Sequence, residues 1–122
     1  APRLVFLVAL LAGCDGQPAP RAQRGHVDLS AFDIERDGPV HLDGEWEMRW
    51  EALDFRGPAP DGPPRFFEIP GAWAGYDWHG KPLPKLGYAA FRLRMNPPLA
   101  DEPLGVKITG IFSAFTLTVD GR

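Results

Sequence analysis

Gly44-Glu-Trp-Glu-Met-Arg-Trp-Glu51 alternates without a break, with Trp46, Met48 and Trp50 on one side and Glu45, Glu47, Arg49 and Glu51 on the other. Successive side chains of an extended chain point to opposite faces, so this pattern predicts a half-buried strand; a helix would scatter both sets around its axis. Trp46 and Trp50 are expected in the core. Glu45 and Glu47, with Arg49 between them, are expected to form a solvated face rather than an acid/base pair. The same period returns at Tyr88–Met95, where Phe91, Leu93 and Met95 should face inward and Arg92 and Arg94 outward, before Asn96-Pro97-Pro98 ends the run. Phe66–Ile69 is a short strand stopped by Pro70-Gly71. Leu104, Val106 and Ile108 alternate around Lys107, and Phe115, Leu117 and Val119 alternate with Thr116 and Thr118. Val27, Leu29, Phe32 and Ile34 precede the turn Arg36-Asp37-Gly38-Pro39.

Short alternating runs separated by Pro/Gly turns predict an all-β chain, an antiparallel β-sandwich. The 14 glycines and 14 prolines fit many turns and leave no room for long helices. Asp120-Gly121, directly after an alternating run, is a hairpin-turn signal. The second strand of that hairpin is not among the 122 residues, so the sandwich is expected to be C-terminally truncated.

The amino-terminal pattern is different. Arg3 is followed by the apolar run Leu4–Ala12, which is too short for a bilayer span of about 20 residues but matches the core of a secretory signal. Leu11-Ala12-Gly13-Cys14 resembles the bacterial lipobox, which implies cleavage before Cys14 and lipidation of its thiol. Residues 1–13 are therefore expected to be a lipoprotein-type signal peptide. Residues 14–25, which carry no large apolar side chain, are expected to be a flexible linker, and residues 26–122 the folded domain. Asp15 resembles an inner-membrane retention signal, which places the domain outside the cytoplasm on the periplasmic face, anchored to the cytoplasmic membrane.

Composition narrows the chemistry. A net charge of −3 supplies no basic footprint for nucleic acid. A single cysteine excludes an internal disulfide, and His26, His41 and His79 are too scattered to read as a zinc set. Ser30 and Ser113 have no recognisable base partner. No phosphate-binding glycine loop, nucleotide fingerprint or serine elbow occurs, so neither catalysis nor a cofactor is expected within these residues. One stretch stands apart: Gly71-Ala-Trp-Ala-Gly-Tyr-Asp-Trp-His-Gly80 packs Trp73, Tyr76 and Trp78 into a glycine-rich loop. Such aromatics either fold back to plug a core or are held out to grip a ligand.

Leu42-Asp-Gly-Glu-Trp-Glu47, Ile69-Pro-Gly-Ala-Trp73, Gly87-Tyr-Ala-Ala-Phe-Arg-Leu-Arg94 and Ser113-Ala-Phe-Thr-Leu-Thr-Val-Asp-Gly121 together resemble the N-terminal galactose-binding-like jelly roll of bacterial seven-transmembrane receptors with diverse intracellular signalling modules. The resemblance runs from about His26 to the end of the sequence, with Phe115 and Asp120 standing where the family pattern has Tyr and Asn. A similar pattern opens the non-catalytic sugar-binding domain of family 2 glycoside hydrolases, although Tyr88-Ala-Ala-Phe91 departs from the Trp-Tyr-Arg run those enzymes tend to show. The receptor resemblance implies a ligand-sensing module tied to a transmembrane bundle further along the chain. Its ligand is a small molecule or a carbohydrate, with the output module beyond Arg122. In that setting Trp73, Tyr76 and Trp78 would stack on a sugar face, Asp77 and His79 would supply hydrogen bonds, and Gly71, Gly75 and Gly80 would let the backbone come close. Trp73, just after a strand-ending Pro-Gly, better suits a cap on the sandwich.

Overall fold

The computed structural model describes residues 19–98, 103–110 and 113–122. The signal segment, Cys14 and the start of the expected linker lie outside these residues. The strands are β1 (His26–Asp28), β2 (Gly44–Trp50), β3 (Arg65–Ile69), β4 (Asp77–Trp78), β5 (Lys81–Pro82), β6 (Ala89–Arg92) and β7 (Arg94–Asn96). The one helical turn among the described residues, α1 (Ile34–Asp37), is held by Asp33, whose carboxylate accepts from the backbone of Glu35 and Arg36, and is closed by Gly38 at φ +80°. The described chain is therefore all-β, with several small sheets.

β2 is the organiser. It lies between β3 and β6 in an antiparallel sheet of order β3-β2-β6, with Trp46 opposite Phe67, Met48 opposite Phe91, and Glu47 opposite Arg92. Opposed residues share a face, so the alternation that sorts β2 also sorts its neighbours. One face gathers Met48, Phe67 and Leu83 into a buried cluster, packed by Trp50, Ile69, Trp73, Tyr76, Trp78 and Phe91. Trp46 and Leu93 pack instead on a second cluster of Ala22, Val27, Leu29 and Phe32. At Leu93 the chain leaves the β2 sheet, and β7 pairs in parallel with β1. That change of partner turns Met95, expected inward, to 42% exposure.

Two further expectations change. The flexible segment does not reach Gly25: Ala22 is 1% exposed and exchanges backbone hydrogen bonds with Asp43 and Glu45, while Gly25 bonds to Glu45 and Arg94. A backbone ladder needs no large side chain, which is why a stretch without apolar bulk still joins the fold. Gly44 makes this approach possible, since a Cβ there would run into the backbone of Ala22. The second change concerns Leu104–Ile108 and Phe115–Val119. These carry no strand pairing among the described residues, and their apolar side chains are 40–59% exposed. Alternation decides which face a side chain would take but supplies no neighbour to cover it. The hairpin turn itself is formed. Asp120 and Gly121 both have positive φ, and Val119 and Arg122 exchange backbone hydrogen bonds at 2.8 and 3.0 Å.

Candidate functional site

The aromatic loop folds back onto the sheet. Trp73 meets Trp50 edge-on at 5.4 Å between ring centroids and stacks along Phe91 at 6.4 Å. Tyr76 packs edge-on against Phe67 at 5.1 Å, and its hydroxyl donates to the Phe66 carbonyl. Main-chain bonds from Gly75 to Leu83 and from Leu83 to Tyr76 fasten the loop at both sides. Buried aromatic pairs of this kind add about 0.5–1.5 kcal/mol each beyond the area they remove from water. Trp73 and Tyr76 are thus placed as core plugs.

Trp78 and His79 are placed differently. β4 and β5 form a tight hairpin turned by His79 and Gly80, whose φ values of +54° and +80° are those a two-residue turn of this hand requires. The turn brings Trp78 and His79 beside Arg65 at the start of β3. Arg65 Nη2 lies 3.0 Å from His79 Nδ1, and the guanidinium sits 5.8 Å from the Trp78 ring centroid. Arginine has no acceptor, so His79 Nδ1 accepts and the ring proton is carried by Nε2, which remains a donor. Asp77, the fifth candidate from the sequence, is exposed and lies outside this group.

Trp78, His79 and Arg65 line a cavity of about 50 Å³ with Met48, Arg49 and the loop Ala59–Pro64. Its position follows from the register. β3 begins at Arg65 opposite Met48, so β2 runs past it and Arg49 has no partner on that side; the proline-rich loop occupies the gap. Pro58, Pro60, Pro63 and Pro64 cannot donate to a strand edge, which lets the loop lie there without extending the sheet.

Arg49 is the correction that matters most. The expected solvated face is covered by the Phe55–Pro64 connection: Arg49 is 9% exposed, donates to the Gly57 carbonyl at 3.1 Å and lies 4.5 Å from the Phe55 ring centroid. Arg92 approaches the same ring at 4.4 Å and pairs with Glu47, with Nη2 2.6 Å from Oε2. Among the described residues neither Arg49 nor Arg65 has a carboxylate within ion-pair distance, and the Nε of each is buried without an acceptor. A buried guanidinium nitrogen with no acceptor is uncommon, because the missing hydrogen bond costs about 1–3 kcal/mol. Sequence reasoning missed both arginines. Arg65 carried one signal, as the only charged residue between the double proline and the Phe66–Ile69 strand.

Among the described residues no three His, Cys, Asp or Glu side chains come together as a metal set, and no helix is long and apolar enough to cross a membrane. Comparison with protein-family models, curated proteins and solved structures returned no match to this chain.

Proposed function

We propose that this chain is the extracytoplasmic ligand-sensing module of a membrane-associated bacterial receptor, a galactose-binding-like jelly roll that recognises a small carbohydrate. The observation that carries the reading is the recess at the β2–β3 edge. It sets an aromatic ring, Trp78, beside His79 and the guanidinium of Arg65, whose Nε has no acceptor, all mounted on a sheet. Binding sites of this kind combine apolar surface with a few well-placed polar groups. The strands Gly44–Trp50 and Ala89–Arg92 and the turn at Asp120-Gly121 overlap the motifs that carry the family resemblance, and the strand Arg65–Ile69 ends where another of them begins. The Cys14 lipobox supplies the anchor to the membrane, and a transmembrane bundle beyond this sequence supplies the route to the cytoplasm.

The test is a panel of neutral and acidic monosaccharides titrated into the chain and into Trp78→Ala, followed by calorimetry. Saturable binding that Trp78→Ala weakens by about tenfold or more is the expected result, since the apolar surface that one stacked aromatic covers is worth roughly a factor of that size. Binding untouched by Trp78→Ala would move the site elsewhere, and silence across the panel would overturn the carbohydrate reading. The same site would serve as the non-catalytic sugar-binding domain of a glycoside hydrolase. The Leu42–Glu47 pattern favours that reading too, and the residues that follow Arg122 in the gene distinguish the two.

A further inference from the structure

The recess is too small for a sugar ring. Its roughly 50 Å³ compares with the about 10–15 Å³ that one water needs, whereas a pocket that encloses a drug-sized ligand runs to several hundred. It therefore admits a single substituent, with any ring lying outside it.

The walls decide which substituent. Two guanidiniums, Arg49 and Arg65, contribute to the lining, and the Nε–H of each lacks an acceptor. Two carboxylates, Glu47 and Asp61, and the ring nitrogen of His79 stand in the lining against them. Glu47 is already paired with Arg92, His79 Nδ1 is taken by Arg65, and the Gly57 carbonyl is taken by Arg49. Asp61, on the covering loop, is the one unpaired carboxylate among the lining residues. With the Glu47–Arg92 pair set aside, two guanidiniums face one free carboxylate, so the balance is positive. A neutral hydroxyl could take one bond; a carboxylate can accept from a guanidinium and from a neighbouring donor such as His79 Nε2 together, through charge-assisted bonds about twice as strong as neutral ones.

The geometry points to a carboxylate subsite anchored by Arg65, and so, resting on the sugar-binding reading above, to a uronic acid rather than a neutral sugar as the ligand class. The acid group enters the recess between Arg65 and the Ala59–Pro64 loop while the ring lies over Trp78.

The experiment titrates the full chain with D-galacturonate, D-galactose and acetate by calorimetry at low and moderate salt. Galacturonate is expected to bind at least about tenfold more tightly than either of the others, with affinity falling as salt rises. Arg65→Gln removes that preference. Asp61→Asn strengthens galacturonate binding, a gain that a misfolded variant cannot imitate, and backbone NMR spectra establish that each variant keeps the fold. Equal affinity for galactose and galacturonate overturns the acid subsite and leaves the sugar-binding reading standing. Acetate binding as tightly as galacturonate overturns the uronic acid and leaves only a carboxylate hole. Galacturonate binding unchanged by Arg65→Gln overturns the subsite, and no binding by either sugar overturns both readings.

Discussion

Arg92 on β6 stands opposite Glu47 on β2, and its guanidinium donates twice to one carboxylate oxygen, at 2.6 Å from Nη2 and 3.1 Å from Nε. The two side chains are 32% and 17% exposed, between the fully solvated and the fully buried regimes. Because Arg92 also lies over Phe55, the pair holds the connection that covers Arg49. Glu47→Gln is expected to cost about 1–3 kcal/mol, more than an exposed pair contributes and less than a buried one loses when halved. Urea unfolding measures it. A change below about 0.5 kcal/mol would show that the loop does not depend on the pair.

Tyr76 tests whether the aromatic loop is a plug. Its hydroxyl donates to the Phe66 carbonyl while its ring packs on Phe67. Tyr76→Phe keeps the ring and removes the bond, so stability should fall by about 0.5–1.5 kcal/mol with no change in ligand affinity. Denaturant melts and calorimetry read the two effects separately.

Gly87 lies under the Trp50 ring, where a Cβ would sit 2.5 Å from Cζ2 and closer still to Cη2. Gly87→Ala must push the indole out of its edge-on contact with Trp73. A destabilisation of about 1–3 kcal/mol is expected, with a change in the near-ultraviolet dichroism of the tryptophans. A wild-type spectrum in this variant would mean that Trp50 is not packed there.

Asp28 carries a pH signature. The Ser30 hydroxyl and backbone N–H both donate to its Oδ1, at 2.6 and 2.9 Å, and hold its carboxyl below the ordinary aspartate range. A pKa lowered by folding means the carboxylate favours the folded chain. That contribution is complete above the unfolded pKa near 4 and disappears as pH falls through the lower folded value. NMR titration of Asp28 should give a midpoint below about 4, and Ser30→Ala should raise it; an unmoved midpoint would remove Ser30 as the cause.

The sheet was legible where one residue decides one face. Trp46, Met48 and Trp50 sort β2, and Phe91 sorts the run opposite it, because the period of a strand is fixed by covalent geometry. What the period does not encode is the partner. Tyr88–Met95 reads as one strand, yet the chain changes sheets at Leu93, and Met95 loses its inward place. Arg49 was illegible for a related reason. A charged residue in an alternating strand looks solvated until a distant segment covers it, and the ring that covers this one belongs to Phe55. Of the candidate site, the aromatics announced themselves by crowding, but their division into plugs (Trp73, Tyr76) and a recess wall (Trp78) depends on the hairpin at His79-Gly80.

The parallel pairing of β1 with β7 brings together His26 and Asn96, which are 70 positions apart in the chain. Closing a loop of that length is entropically costly and is rewarded only by three short registered pairs, whereas β2 recruits β3 across a much smaller separation and β6 across an intermediate one. Acquisition of the native state should therefore wait on this late clasp. Deuterium should enter the amides of Leu29 and Arg94 well before those in the middle of β2, since the contact made last is the first to let go.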